Sequence, residues 1–282
     1  MVSMTKNTIA SITLILLAVL LICTAGCTTQ PPTAVVVGEN TTPAAADSSL
    51  LVYSGAGLKK PMNDIGKAFT EKYGIGVEYT FAGSGTLISQ MELSRKGDVF
   101  VPGGTPDYRI AQDKGLVVED RGYIAYHVPV IVVPKGNPRN ISSVDDFARP
   151  GLKLALGGAN TTAIGRAGDR LFQKHGILDA VEKNVVLRAP TINEVVVAMT
   201  MGTADAALLT LDLVNPETMD VIDLPQEDSL ALIVPAGATT FTTEPDAARQ
   251  FVEFVTSDEG KAIFAKHGFP IYPDPAYAGI EP

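Results

Sequence analysis

The chain has 282 residues, 46% hydrophobic and 19% charged, which is enough apolar material for a sizeable core, most readily divided between two lobes. Its formal net charge is −9 and its lysines and arginines are scattered rather than banded, which argues against a nucleic-acid partner. Both cysteines, Cys23 and Cys27, lie at the front of the chain, so the remainder folds without a disulfide and depends on its own core.

Lys6 is the only charge before Glu39, Ile9–Cys23 is an almost unbroken apolar run, and Thr24-Ala25-Gly26 precede Cys27. A basic start, an apolar stretch and small residues before a break describe a secretory signal over residues 1–26. Small residues directly before a cysteine also resemble a lipobox, in which Cys27 becomes the acylated first residue; Thr24 stands where Leu, Val or Ile is usual. A retained membrane helix and free secretion are the alternatives. Residues 27–48, rich in Thr, Pro and Ala, read as a lipid-anchored flexible tether. All three readings put the rest of the chain on the extracytoplasmic side of the cell membrane.

Strand and helix patterns then alternate. Leu50–Tyr53 is a short apolar strand that runs into Ser54-Gly55-Ala56-Gly57, and Leu58, Met62, Ile65, Phe69 and Tyr73 recur at helical spacing up to a stop at Gly74. Val77–Phe81 repeats the strand, Ala82-Gly83-Ser84-Gly85 the turn, and Leu87, Ile88, Met91 and Ser94 the helix, closed by Gly97. Asp98–Val101 is a strand and 107–114 a helix. Tyr123–Val133 reads as one long strand, Lys153–Leu156 as another, followed by a loop and a helix from Ala163 to His175. A helix over 191–201 opens on a capping-box match, Thr191 with Glu194. Ala206–Leu211 and Ser229–Pro235 are strands, and Glu244–His267 is one long amphipathic helix. The class is α/β with mainly parallel sheets in two lobes, 49–127 with 238–282 and 128–237.

Ligands of open α/β sheets bind beyond the carboxyl ends of strands, where helices begin. Four turns meet that description, two from each half: Ser54–Gly57, Ala82–Thr86, Asn160–Gly165 and Pro190–Asn193. A helix N-terminus presents unpaired N–H groups and about half a unit of positive charge, glycine lets an oxygen approach the backbone, and serine adds a hydroxyl donor. The pattern predicts a receptor for a small oxyanion held in the cleft between lobes. Ser84 is the leading donor, with Gly85 and Thr86 as neighbouring amides, and Thr161 and Thr162 add hydroxyls from the other half. His127, His175 and His267 lack metal-ligand spacing, so neither a metal site nor a cofactor is expected. A serine hydrolase using Ser84 would need a base, and no histidine is expected to face that turn; no catalytic residue is assigned.

The blocks Val52–Leu58, Phe81–Leu87 and Lys96–Phe100, with Leu152–Leu156 and the closing Phe251–Gly268 stretch, resemble the molybdate/tungstate-binding proteins of ABC transporters. The resemblance implies a two-lobed Venus-flytrap fold of the type II periplasmic-binding class. It also implies a monomeric receptor for molybdate or tungstate that hands its ligand to a membrane permease driven by an ATPase. By position, Ser84 falls on an anion-binding serine of the family, and Ile164 and Ile192 on positions that bind through the backbone N–H. Gly57 stands where many members carry a contacting serine, and Thr210 where bacterial members carry a donor tyrosine; Ser54 or Thr162 would then replace a lost hydroxyl. The alternative ligands are sulfate, phosphate or an organic anion, the last if Arg166 enters the cleft.

Overall fold

Short apolar strands punctuated by glycine turns build ten strands and eight α-helices in the computed structural model, which describes residues 49–280, all within one compact unit. The expected signal segment, the tether and Cys27 lie outside the described residues. The chain first lays down β1 (Ser49–Gly55), α1 (Lys59–Tyr73), β2 (Gly76–Ala82), α2 (Ser84–Ser94), β3 (Val99–Val101), α3 (Thr105–Asp113) and β4 (Gly122–His127). It then forms β5 (Pro129–Pro134), β6 (Leu154–Gly157), α4 (Ala163–Lys174), α5 (Leu178–Asn184), β7 (Val185–Ala189), α6 (Ile192–Thr200), β8 (Ala206–Thr210) and β9 (Met219–Ile222). It returns through β10 (Leu232–Ala238), α7 (Pro245–Thr256) and α8 (Asp258–Lys266).

Two five-stranded sheets result, in the orders β2-β1-β3-β10-β4 and β7-β6-β8-β5-β9. Both are mixed rather than mainly parallel. In the first, β2, β1 and β3 run parallel while β10 is antiparallel to β3 and to β4. In the second, β7, β6 and β8 run parallel and β5 is antiparallel to β8 and β9. Two reversals leave β4 running in the same direction as β3, so its last residue, His127, lies at the carboxyl edge of the first sheet. Leu232–Ala238 pairs in the first sheet, so the strand that ends at the expected 237/238 boundary belongs on the other side of it.

Each half has its own apolar core. In the first, Leu58, Met62, Ile65 and Phe69 are fully buried at the start and along one face of α1, and the Phe69 ring meets Phe251 and Phe254 at 5.0 and 5.7 Å. Each such side chain contributes about 1.5–3 kcal/mol. In the second, Val130–Val133 of β5 are buried among Leu154, Leu156, Leu171, Phe172 and Leu208. Gly74 ends α1 in the left-handed conformation at φ 70°.

Two expected continuous elements are broken. The run Tyr123–Val133 divides at Val128 into β4 and β5, one strand for each sheet, because both are buried and the apolar pattern does not register the change of partner. The expected helix over 244–267 divides at Ser257, whose hydroxyl accepts from Gly260 N–H at 3.3 Å and so starts α8 afresh.

Candidate functional site

All four anticipated turns meet at one small cavity of about 40 Å³, lined by Gly55–Gly57, Ala82–Ser84, Gly103, His127, Thr162–Ile164, Ile192, Thr210 and Leu232. It lies beyond the carboxyl ends of β1, β2, β4, β6 and β8, at the start of α2, α4 and α6. Gly57, Ser84, Thr162, Ile164, Ile192 and Thr210 are therefore brought together. Ser54 is not among the lining residues: it is fully buried within β1, paired in register with Phe81 and Val101, and its Oγ has no hydrogen-bond partner.

The hydroxyls differ in what they can still do. Ser84 Oγ accepts from the N–H of Gly103 at 3.0 Å, which leaves its own proton to donate. Thr210 Oγ1 is buried at the end of β8, beside the Asp212 carboxyl and short of a well-formed hydrogen bond to it. Thr162 is already engaged, because its Oγ1 accepts from Gly165 N–H at 3.0 Å and donates to Gly158 O at 3.1 Å, capping α4. The start of α6 has no such cap. Thr191 Oγ1 donates to Glu194 Oε1 at 3.0 Å, so the expected capping box does not form and the first amides of α6 are left to face outward.

Gly85, expected as an amide donor to the ligand, instead serves with Gly83 to let the two halves approach. Gly85 N–H donates to Thr161 O at 3.0 Å, across from one half to the other. A methyl group at Gly85 would sit 2.0 Å from Asn160 O, and one at Gly83 would sit 2.3 Å from Thr161 O and 2.5 Å from Pro190 O. Only glycine permits this backbone-to-backbone approach. Two further contacts join the halves: Asn193 Nδ2 donates to Ala56 O at 3.0 Å, and Arg166 pairs with the fully buried Asp107 of α3. Arg166 also donates to Ala159 O at 3.1 Å and does not line the cavity, so it does not act as the cleft cation an organic anion would use. Burial pushes the Asp107 carboxyl above its ordinary range, and the neighbouring guanidinium pulls it back.

Sequence reasoning misses one functional wall. Pro102-Gly103-Gly104 brings a fifth turn to the cavity, and His127, expected to be remote, stands beside it. Its Nδ1 bonds to Gly103 O at 2.8 Å, the same residue whose N–H reaches Ser84, while its buried Nε2 has no partner. A histidine therefore does sit near the turn of Ser84, because the break at Val128 ends β4 at the sheet edge. Its Nδ1 faces the Gly103 carbonyl rather than the Ser84 hydroxyl. Position 127 is the detectable signal, the last residue of an apolar strand that precedes Val128-Pro129.

The lining contains no lysine, arginine, aspartate or glutamate. Neutral hydroxyl and backbone donors, three helix starts and one imidazole surround a space of ion size, an arrangement suited to a small anion held by hydrogen bonds.

The chain matches the family described as bacterial extracellular solute-binding protein over residues 50–270. A putative binding protein of Haemophilus influenzae is 28% identical over 232 residues, covering 80% of this chain and 91% of that protein. The molybdate-binding protein ModA of Mycobacterium tuberculosis H37Rv is 28% identical over 230 residues, covering 80% and 86%. Among solved structures, the sulfate-binding protein SubI of Mycobacterium tuberculosis shares the fold with a TM-score of 0.72 at 19% identity, covering 82% of this chain and 89% of that one. Since the family match takes in every residue that lines the cavity, the chain belongs to the bacterial extracellular solute-binding proteins.

Proposed function

We propose that this protein is the extracytoplasmic receptor of an ABC importer and captures molybdate or tungstate by closure of its two halves. The observation that carries the reading is the cavity itself, which is small and lined by Ser84, Thr210, Gly57 and the starts of α4 and α6 at Ile164 and Ile192, with no charged lysine or arginine. Roughly 5–7 hydrogen bonds to a charged ligand, each worth about 1.5–3 kcal/mol net, offset dehydration and closure and leave nanomolar-to-micromolar affinity. Molybdenum–oxygen and tungsten–oxygen bonds are longer than sulfur–oxygen bonds, so a ring of donors built on strand ends and helix starts separates the two sizes. The relatedness to a molybdate-binding protein supports the same ligand class.

In this reading the halves are lobes joined by a hinge, residues 1–26 are a signal peptide, and Cys27 carries a lipid that tethers a monomer to the cell membrane through residues 27–48. The permease and its ATPase receive the ligand. The chemistry asked of the site is binding and release, not bond cleavage.

A thermal-shift series on the full-length protein with molybdate, tungstate, sulfate and phosphate at about 1 mM tests it. A ligand of micromolar affinity adds about 4 kcal/mol at that concentration, a rise of several degrees. A rise with molybdate or tungstate alone is expected. A rise with sulfate or phosphate alone would reassign the ligand, and none with any of the four would overturn the oxyanion reading.

A further inference from the structure

Among the residues that line the cavity, His127 alone carries an imidazole, whose ring nitrogens can each accept or donate a hydrogen bond. Its ring is held on two sides. Nδ1 lies 2.8 Å from Gly103 O, and the ring packs on Phe269 with centroids 5.2 Å apart. A carbonyl oxygen only accepts, so the Nδ1 position carries a proton in either charge state. Nε2 is then an acceptor in the neutral ring and a donor only in the imidazolium. That atom is buried, has no partner, and belongs to a residue only 6% exposed.

Gly57 keeps the space in front of Nε2 clear. A methyl group there would sit 3.7 Å from Nε2 and 3.2 Å from Ile192 Cγ2, so any longer side chain would fill the gap between the ring and the start of α6. The result is an unpaired ring nitrogen in a cavity otherwise made of neutral donors.

We propose that His127 binds the oxyanion directly through Nε2–H, and that the ring takes up one proton from solvent as the anion is captured. The inference rests on the oxyanion reading above and adds a residue and a charge to it. A fully deprotonated oxyanion offers only acceptors. Facing a neutral Nε2 it would meet lone pair against lone pair, whereas facing an imidazolium it gains a charge-assisted hydrogen bond in a site shielded from water. The ionisable group coupled to the ring is Asp212, after β8, whose carboxyl is pushed up by burial and drawn down by His127 and by the Thr210 hydroxyl. Lys60, in the first turn of α1, acts on Asp212 as well. The other walls around the ring, Gly57, Gly103, Ile192 and Phe269, carry no titratable side chain.

The proton is visible directly. Calorimetric titration of the full-length protein with sodium molybdate, in two buffers of different ionisation enthalpy at about pH 7.5, reads proton uptake from the difference in heat. Uptake approaching one proton per anion is expected, with affinity falling by up to about tenfold for each unit of rise in pH. The variant His127→Gln keeps an amide donor but no titration: it should bind about tenfold more weakly, with a flat pH profile and no uptake. Circular dichroism and the melting temperature of each unliganded protein report folding, and the wild-type measurement stands without any variant. Molybdate binding without proton uptake, at an affinity that does not change with pH, overturns the role of His127 and leaves the oxyanion receptor intact. No binding of molybdate or tungstate at any pH overturns the molybdate/tungstate assignment, and this inference with it.

Discussion

The two glycine-serine turns of the first half look alike in sequence and do different work. Both follow a parallel strand and open a helix. In the first, Ser54 is turned into the sheet with no partner, and Gly57 keeps open the space in front of His127. In the second, Ser84 faces the cavity and is oriented by Gly103 N–H, while Gly83 and Gly85 let the opposite half touch the backbone. Both turns wall the cavity and both touch the opposite half, the first through the Asn193 side chain on Ala56 O and the second backbone to backbone. The same residue types therefore do not license the same role, and what separates the roles is whether a movable side chain or rigid backbone of the opposite half lies in front of each glycine.

The sharpest way to break this comparison is Gly85→Ala. The new methyl group would meet a backbone oxygen at 2.0 Å, which no rotamer change relieves, so the halves must part. Molybdate affinity should fall at least about 100-fold, equivalent to about 2.7 kcal/mol. The unliganded melting temperature should hold or rise, because alanine is the better helix residue within α2. Gly57→Ala, whose methyl meets the movable Ile192 side chain at 3.2 Å and His127 Nε2 at an ordinary 3.7 Å, should cost a few-fold at most. Calorimetry on the pair, with melting curves alongside, tests the contrast; wild-type affinity in Gly85→Ala would show that contact between the halves is not needed for capture.

Next in size is the contrast of the two serines. Ser84→Ala removes a donor to a charged ligand and should weaken molybdate binding by about 10- to 100-fold. Ser54→Ala should leave affinity unchanged, since its hydroxyl faces neither cavity nor partner. Equal losses in the two variants would erase the distinction drawn between the turns.

The Asp107–Arg166 pair sharpens the contact between halves rather than the walls. Arg166→Ala leaves a fully buried carboxylate without its hydrogen-bonded cation, with only the weaker pull of Arg170 remaining. The protein can escape that cost by opening, which hydrates Asp107, or by protonating it, so the loss should appear as about a tenfold drop in affinity rather than in unfolding. Adding Asp107→Asn should restore part of it, and a double-mutant cycle on molybdate affinity measures the coupling.

The four turns are legible in the sequence because each juxtaposes a buried strand with helix-starting residues, a local signal. His127 is not legible, because its role comes from β10, which is laid down more than 100 residues later and inserts antiparallel between β3 and β4 to set the direction of β4. The break at Val128 is hidden for a related reason. Strands on both sides are buried, so hydrophobicity runs unbroken while the hydrogen-bond partners change sheet. Thr162 shows the opposite limit: a hydroxyl in the right place is indistinguishable, by sequence, from one already spent on capping α4. Local chemistry can be read along the chain, whereas which groups remain unsatisfied depends on the tertiary arrangement.

The smallest expected effect separates a histidine of the second half from His127. Both ring nitrogens of His175 face carboxylates, Nδ1 at 2.8 Å from Asp145 Oδ1 and Nε2 at 3.0 Å from Asp228 Oδ1. Both can donate only in the imidazolium, and the hydrogen bonds to Asp228 and then Asp145 raise the His175 pKa above 6.5. A raised histidine contributes stability that is fully present below its unfolded value and is lost as pH climbs through the folded value. The unliganded melting temperature should therefore decline modestly on going from about pH 6 to above neutrality, and His175→Asn should flatten that decline. The cluster lies on α4 and the loops of the second half and does not line the cavity, so the same substitution should leave proton uptake on molybdate binding unchanged. If His175→Asn abolished the uptake, the proton would belong to this surface cluster, and the wall built by Gly57 and His127 would be apolar shape alone.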